Sequence, residues 1–287
     1  MGPTSPNVRG ALWMLAAAAT FAGMQALVKA LGSDLHFLEI VFFRSLFGLL
    51  PMVPFMLRAR RAAFVMRRPG MHLLRGGLGV AAMVTTFYAL THLPLATAVA
   101  IFYAKPLFMI VLAALFLAER AGWRRWLATA FGFVGVLLTL RPGALGPDAL
   151  SAVAAALFMS GAMTTIKRMT DTENTANIVL IFGLIGTLAT ALPAALIWRT
   201  PSPLEWSMLL AMGVLGGAAQ YMMVRAYALA EATVVTPVDY TALLFAGLIG
   251  WLAFGELPDG WTVAGALVIA ASTLYIVQRE ARLRGGR

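Results

Sequence analysis

Four charged side chains lie inside long apolar stretches: Arg44, Lys105, Arg225 and Asp239. A charge at the centre of a membrane helix costs about 2.5–3.5 kcal/mol on insertion scales, so each should have a partner or face a water-filled cavity. Lys105 stands directly before Pro106. Proline has no N–H, so the Phe102 carbonyl loses its helical partner and a kink is expected at Pro106. A lysine ammonium beside a freed carbonyl makes a polar spot. Lys105 either faces a cavity and attracts a substrate carboxylate, or caps freed carbonyls, or pairs with Asp239. Arg225 and Asp239 each lie a few residues from one short loop, so an ion pair across that hairpin is expected. The alternative makes Asp239 a contact for a substrate ammonium, or a proton site. Arg44 reads as a structural, gating or packing residue.

Neutral groups accompany these charges. Gln25 and Gln220 are polar in apolar surroundings, and Tyr88, Tyr103, Tyr221, Tyr227 and Tyr240 offer an apolar face with a hydroxyl. Such groups suit an amphipathic organic solute. The expected binding set is Gln25, Tyr88, Tyr103, Lys105, Tyr221 and Asp239, with Arg44, Arg225 and Asp239 as the ion-pair or gating set.

This is chemistry for recognition rather than bond breaking. An intramembrane hydrolase needs a Ser–His pair, paired aspartates or a metal centre. Here one aspartate lies deep, and His36, His72 and His92 sit near helix ends. The chain has no cysteine, so thiol catalysis, cysteine metal sites and disulfides are excluded. No Walker A pattern occurs, so ATP is not expected to act on the chain directly. We expect no enzyme, no metal and no cofactor.

The elements that must position these residues are membrane helices. The 287 residues are 61% hydrophobic and 12% charged, against roughly 45–50% and 25% in soluble domains. Ten apolar runs are each long enough to span a bilayer, at about 10–31, 37–57, 72–91, 96–118, 124–141, 149–169, 175–198, 205–229, 234–255 and 261–278. The first run is too long for a signal-peptide core, which holds about 7–15 apolar residues. Lys105 falls about ten residues into the fourth run, roughly 15 Å deep.

The net charge of +10 reports topology, not a nucleic-acid partner. With the N-terminus inside, fifteen basic residues fall on the cytoplasmic side: Arg9, Arg58, Arg60, Arg61, Arg67, Arg68, Arg120, Arg124, Arg125, Lys167, Arg168, Arg279, Arg282, Arg284 and Arg287. Lys29, Arg141 and Arg199 face the other side. The positive-inside rule then puts both termini in the cytoplasm.

The halves repeat. Ala16-Ala17, Gly23 and Lys29 recur as Ala154-Ala155, Gly161 and Lys167. Tyr88-Ala89-Leu90 recurs as Tyr227-Ala228-Leu229, and Glu119 as Glu256. Five helices is an odd number, so the second copy must enter the membrane from the opposite face. The expected fold is all-α and integral to the membrane, one domain of two inverted five-helix repeats, 1–145 and 146–287.

These features resemble the drug/metabolite transporter superfamily, in particular its ten-helix EamA-type exporters. The resemblance rests on Phe43-Arg44 in the second helix, Pro106 in the fourth, and Leu117-Ala118-Glu119 closing it. In the second half it rests on Phe254-Gly255-Glu256 and Gly265-Ala266. The run Phe102-Tyr103-Ala104-Lys105-Pro106 looks most like the YddG-type exporters of aromatic amino acids. The second half departs from the pattern, since Leu243 stands where the first half has Pro106. The resemblance implies a multi-pass protein of a bacterial-type inner membrane. It would export small amphipathic metabolites, aromatic or large neutral amino acids foremost, by alternating access. Cationic drugs or other metabolites such as purines are the alternative, ahead of a lipid flippase. The partners implied are a small-molecule substrate and membrane lipid. Nothing demands a second subunit, and a monomer is allowed.

Overall fold

The computed structural model describes residues 6–60, 64–116, 123–140, 146–230 and 232–285, and among them every regular element is helical. The helices are α1 (Pro6–Leu31), α2 (Phe37–Phe47), α3 (Val53–Ala59), α4 (Pro69–His92), α5 (Leu95–Phe102), α6 (Lys105–Phe116), α7 (Trp123–Leu140), α8 (Pro147–Met169), α9 (Thr175–Leu196), α10 (Pro203–Leu229), α11 (Ala232–Asp239), α12 (Thr241–Phe254) and α13 (Gly260–Gly285). Among the described residues, eight helical stretches are long and apolar enough to cross a membrane, and two shorter apolar helices, Trp126–Leu140 and Gly260–Ile276, fall in the fifth and tenth expected runs.

Three of the expected runs are interrupted. In the second, a 3₁₀ turn at Leu50–Met52 separates α2 from α3. Pro51 explains it, since it cannot donate to the Phe47 carbonyl. In the fourth, the chain breaks at Tyr103-Ala104, between α5 and α6. In the ninth, it breaks at Tyr240, between α11 and α12. The two breaks fall at tyrosines 137 residues apart, the interval that separates Glu119 from its copy Glu256.

Local chemistry sets the other boundaries. His36 and Asn174 cap α2 and α9 by accepting from the amides of Leu38 and Ala176. Ser202 and Glu205 form a reciprocal capping box at the start of α10, with Pro203 in the first turn. α12 ends at Gly255, whose φ of +66° lies in the left-handed region that glycine enters without penalty.

α1 packs along α10, α4 along α8, α2 along α9 and α7 along α13. Close approach has a visible cause on α10, where a Cβ on Gly217 would collide with the Gly48 backbone that follows α2. The outside is apolar. Leu188, Leu192 and Leu196 form one stripe on α9 and are 77%, 68% and 77% exposed. Water would not tolerate such a stripe across a whole helix, whereas lipid does.

Candidate functional site

The two broken helices meet at the centre. In a continuous helix the Asp239 carbonyl would accept from the Leu243 amide, but that amide bonds to Tyr240 instead, at 3.0 Å. The freed Asp239 carbonyl accepts from the Tyr103 hydroxyl at 2.6 Å. Similarly, the Leu107 amide bonds to Ala104 at 2.9 Å, and the Tyr103 carbonyl accepts from the Tyr240 hydroxyl at 3.4 Å. Each tyrosine thus satisfies a carbonyl at the other helix's break. The rings lie 4.8 Å apart. Buried carbonyls need such partners, because an orphan in hydrocarbon is costly.

Lys105 opens α6 and reaches across to Asp239, Nζ to Oδ2, at 2.6 Å. Tyr103 also donates to Asp239 Oδ1 at 3.1 Å, and its ring lies 4.5 Å from the Lys105 ammonium. The pair is almost buried, with 13% and 9% of the side chains exposed. Its energy is therefore governed by desolvation and geometry, not by salt screening.

This cluster forms one wall of a cavity of about 150 Å³. Phe87, Phe102, Met24 and Met159 supply apolar walls, while Gln25, Gln220, Arg44 and Arg75 add polar groups. Residues of the first, third, fourth, sixth, eighth and ninth runs contribute, and Arg44 of α2 and Phe182 of α9 join them.

Arg44 and Arg75 are both 4% exposed. Arg44 Nη2 donates to the Gly216 carbonyl at 3.1 Å. Arg75 has no hydrogen-bond acceptor for Nε or Nη1 among the described residues. Both guanidiniums face the Phe182 ring, at 5.6 Å and 4.0 Å from its centroid. Gln25 Oε1 and Gln220 Nε2 are buried and unpaired too.

Lys105 pairs with Asp239, one of the roles the sequence allows it, and Arg225 is not among the partners of Asp239. The carboxylate faces α6, whose first residue is Lys105. Tyr88 does not line the cavity, for it stacks on His92 at 4.2 Å and meets Phe37 edge-on at 5.3 Å near the end of α4. Tyr221 packs edge-on against Trp13 at 6.3 Å, within an apolar cluster. Gln25, Tyr103, Lys105 and Asp239 do line the cavity. Pro106 falls in the first turn of α6, just past the break. Arg75 was missed because it sits near the charged end of its run. A clue lay in Gly79, four residues on, which leaves room beside its head group. No group of three or more His, Asp or Glu side chains suited to a metal occurs among the described residues.

A second polar knot closes one end of the bundle. Glu256 Oε1 pairs with Lys29 Nζ at 2.9 Å, and its Oε2 accepts from the Leu95 amide at the start of α5 at 3.0 Å. Lys29 also donates to the Leu93 carbonyl at 2.9 Å. The carboxylate thus caps a helix N-terminus, where negative charge is favoured. Its repeat mate Glu119 lies outside the described residues. With the Lys29 and Glu256 side chains 15% and 27% exposed, the pair lies between a surface pair and a buried one, and Glu256→Gln should cost about 2 kcal/mol. The check is the unfolding midpoint in detergent, in a cycle with Lys29→Met. A coupling of zero would show that the contact is incidental.

With this geometry in hand, comparison with known proteins is informative. The model of the "EamA-like transporter family" matches the chain twice, over residues 8–141 and 147–278. An S-adenosylmethionine uptake transporter of Rickettsia prowazekii (strain Madrid E) is 32% identical over 276 residues, 95% of this chain and 94% of that protein. The pseudopaline exporter CntI of Pseudomonas aeruginosa (strain PAO1) is 35% identical, covering 93% and 95%. A riboflavin transporter of Rhizobium johnstonii is 34% identical, covering 97% and 94%. These relatives are named for substrates other than aromatic amino acids. A crystal structure of another protein superposes with a TM-score of 0.68 at 20% identity, covering 96% of this chain and 98% of that one. At that identity the likeness concerns the fold alone.

Proposed function

This chain belongs to the EamA-like transporter family, and from that premise we propose that it moves a small amphipathic metabolite across a bacterial inner membrane by alternating access. The family makes it a secondary, multi-pass membrane transporter of a small molecule. The observation that carries the finer reading is the cavity where the two broken helices meet, polar at Lys105, Asp239 and Tyr103 and apolar at its phenylalanines and methionines. Discontinuous helices at the interface of two halves are where secondary transporters bind their substrates. Gln25, Tyr103, Lys105 and Asp239 are the proposed contacts, with Arg44 placed beside them.

The proposed frame is ten spans in two inverted halves, 1–145 and 146–287, with both termini cytoplasmic. The double match of the family model supports it. So does the packing: exchanging the halves turns the α1–α10 contact into the α8–α4 contact, and maps α2–α9 and α7–α13 onto themselves. Such symmetry lets one gate close while the other opens. A carrier of this kind works in the direction its gradient sets, which agrees with relatives named for uptake and for export alike.

The substrate proposed joins an amino-acid-type polar end to a larger flat or apolar body. Aromatic and large neutral amino acids fit that description, and so does S-adenosylmethionine. The test is flux in proteoliposomes preloaded with S-adenosylmethionine, riboflavin, phenylalanine or tryptophan. Saturable flux of at least one compound is expected, and it should vanish when Lys105 and Tyr103 are both replaced by Ala. Failure of all four to move, or flux untouched by the double replacement, would overturn the proposal.

A further inference from the structure

The cavity is unbalanced in charge. Its lining holds three cations, Arg44, Arg75 and Lys105, and one carboxylate, Asp239. Lys105 takes that carboxylate at 2.6 Å. Neither guanidinium has a carboxylate partner among the described residues. Both are almost fully buried, and both are directed at the same ring, that of Phe182. Two like charges that line one nearly enclosed cavity repel one another.

The chain makes room for them on purpose-built ground. A Cβ on Gly79 would run into the Arg75 guanidinium and the Phe182 ring, and a Cβ on Gly216 would crowd the Arg44 guanidinium and the Met24 sulfur. Arg75 keeps Nε and Nη1 without an acceptor, and the buried Nε2 of Gln220 is a further donor without one. A hydrogen bond from such a guanidinium to a carboxylate is charge-assisted and strong. Packing against an aromatic face fixes the plane of the Arg75 guanidinium.

Resting on the transporter reading above, we infer that Arg75, supported by Arg44 and Gln220, is the docking point for a carboxylate on the transported molecule. The bound carboxylate accepts from Arg75 and relieves the repulsion between the two guanidiniums. It thereby ties α4 to α2, α9 and α10, which belong to both halves of the chain. The Lys105–Asp239 pair forms a separate wall for the rest of the polar end. A substrate without an anionic group would leave both arginines uncompensated and should bind poorly.

The experiment uses three matched pairs of probes that differ by one carboxylate: S-adenosylmethionine and its decarboxylated form, phenylalanine and 2-phenylethylamine, and tryptophan and tryptamine. The unfolding midpoint of the purified full chain in detergent is recorded at equal concentrations, and flux is measured in proteoliposomes. In at least one pair, the carboxylate member should raise the midpoint and move at least tenfold faster than its partner. Arg75→Gln should erase that difference, and Arg75→Lys, which keeps the charge but loses the planar guanidinium, should retain part of it. If Arg75→Gln does not fold, the wild-type comparison and Arg75→Lys still decide. Carboxylate-free members that bind and move as well as their parents would overturn the inference and leave the transporter reading intact. So would riboflavin flux with no carboxylate-dependent shift in any pair.

Discussion

Asp239→Asn is expected to stop transport and to lower stability by about 3 kcal/mol, the scale on which a buried pair responds to loss of one partner. The reasoning starts from what remains. Without Asp239 the lining keeps Lys105, Arg44 and Arg75 and no carboxylate. Lys105 would keep at best a neutral amide oxygen and its contact with the Tyr103 ring, at 4.5 Å, and a cation–π contact returns about 2 kcal/mol when desolvated, less than a charged partner. Lys105→Met should be the milder single change. It leaves Asp239 with the Tyr103 hydroxyl at 3.1 Å and with two guanidiniums in the same cavity. The double variant Lys105→Met/Asp239→Asn removes both charges at once, and such paired removal from an apolar site is often neutral. It should therefore recover most of the stability yet remain without flux. Unfolding midpoints and proteoliposome flux on the four proteins check this. A double variant that transports normally would make the pair a packing device. Single variants each costing under about 0.5 kcal/mol would mean the pair is solvated.

Much of this site was legible from the sequence because the signals were local. Pro106 denies a partner to the Phe102 carbonyl, and the chain breaks within two residues of that point. Lys105 and Asp239 stood out because each is a charge inside an apolar run. The missing pieces depended on three dimensions. Nothing local says that Asp239 turns to Lys105 in preference to Arg225. That choice is made by the break at Tyr240, where no proline occupies the position matching Pro106. The proline that is present, Pro237, lies inside α11. Nothing local sets Arg75 apart, because it lies close to a helix end: α4 begins at Pro69 and the expected run at 72. Tyr88 and Tyr221 carried the right chemistry but stand on faces that meet other aromatics. Side-chain type is written in the sequence, whereas facing follows from how α1, α4, α8 and α10 pack.

The tyrosine brace yields the second large effect. Tyr103→Phe is expected to cost about 2 kcal/mol, since it removes the single hydroxyl proton that the buried Asp239 carbonyl and its carboxylate share. Tyr240→Phe should cost less than about 1 kcal/mol, because the bond it removes spans 3.4 Å, near the limit for a useful contact. The two changes look equivalent by sequence, as Tyr103 and Tyr240 are repeat-related, so the asymmetry is a specific consequence of the geometry. It also predicts a shift in backbone structure. Freed from Tyr103, the Asp239 carbonyl can take back the Leu243 amide, as a continuous helix would, and the break between α11 and α12 would anneal. Amide hydrogen exchange at Leu243 should then slow in Tyr103→Phe while flux falls about tenfold, the factor that 1.4 kcal/mol represents. Flux lost without any change in exchange would assign Tyr103 to substrate contact alone. Equal costs for the two tyrosines would remove the brace from the account, leaving the proline and the ion pair to hold the breaks open.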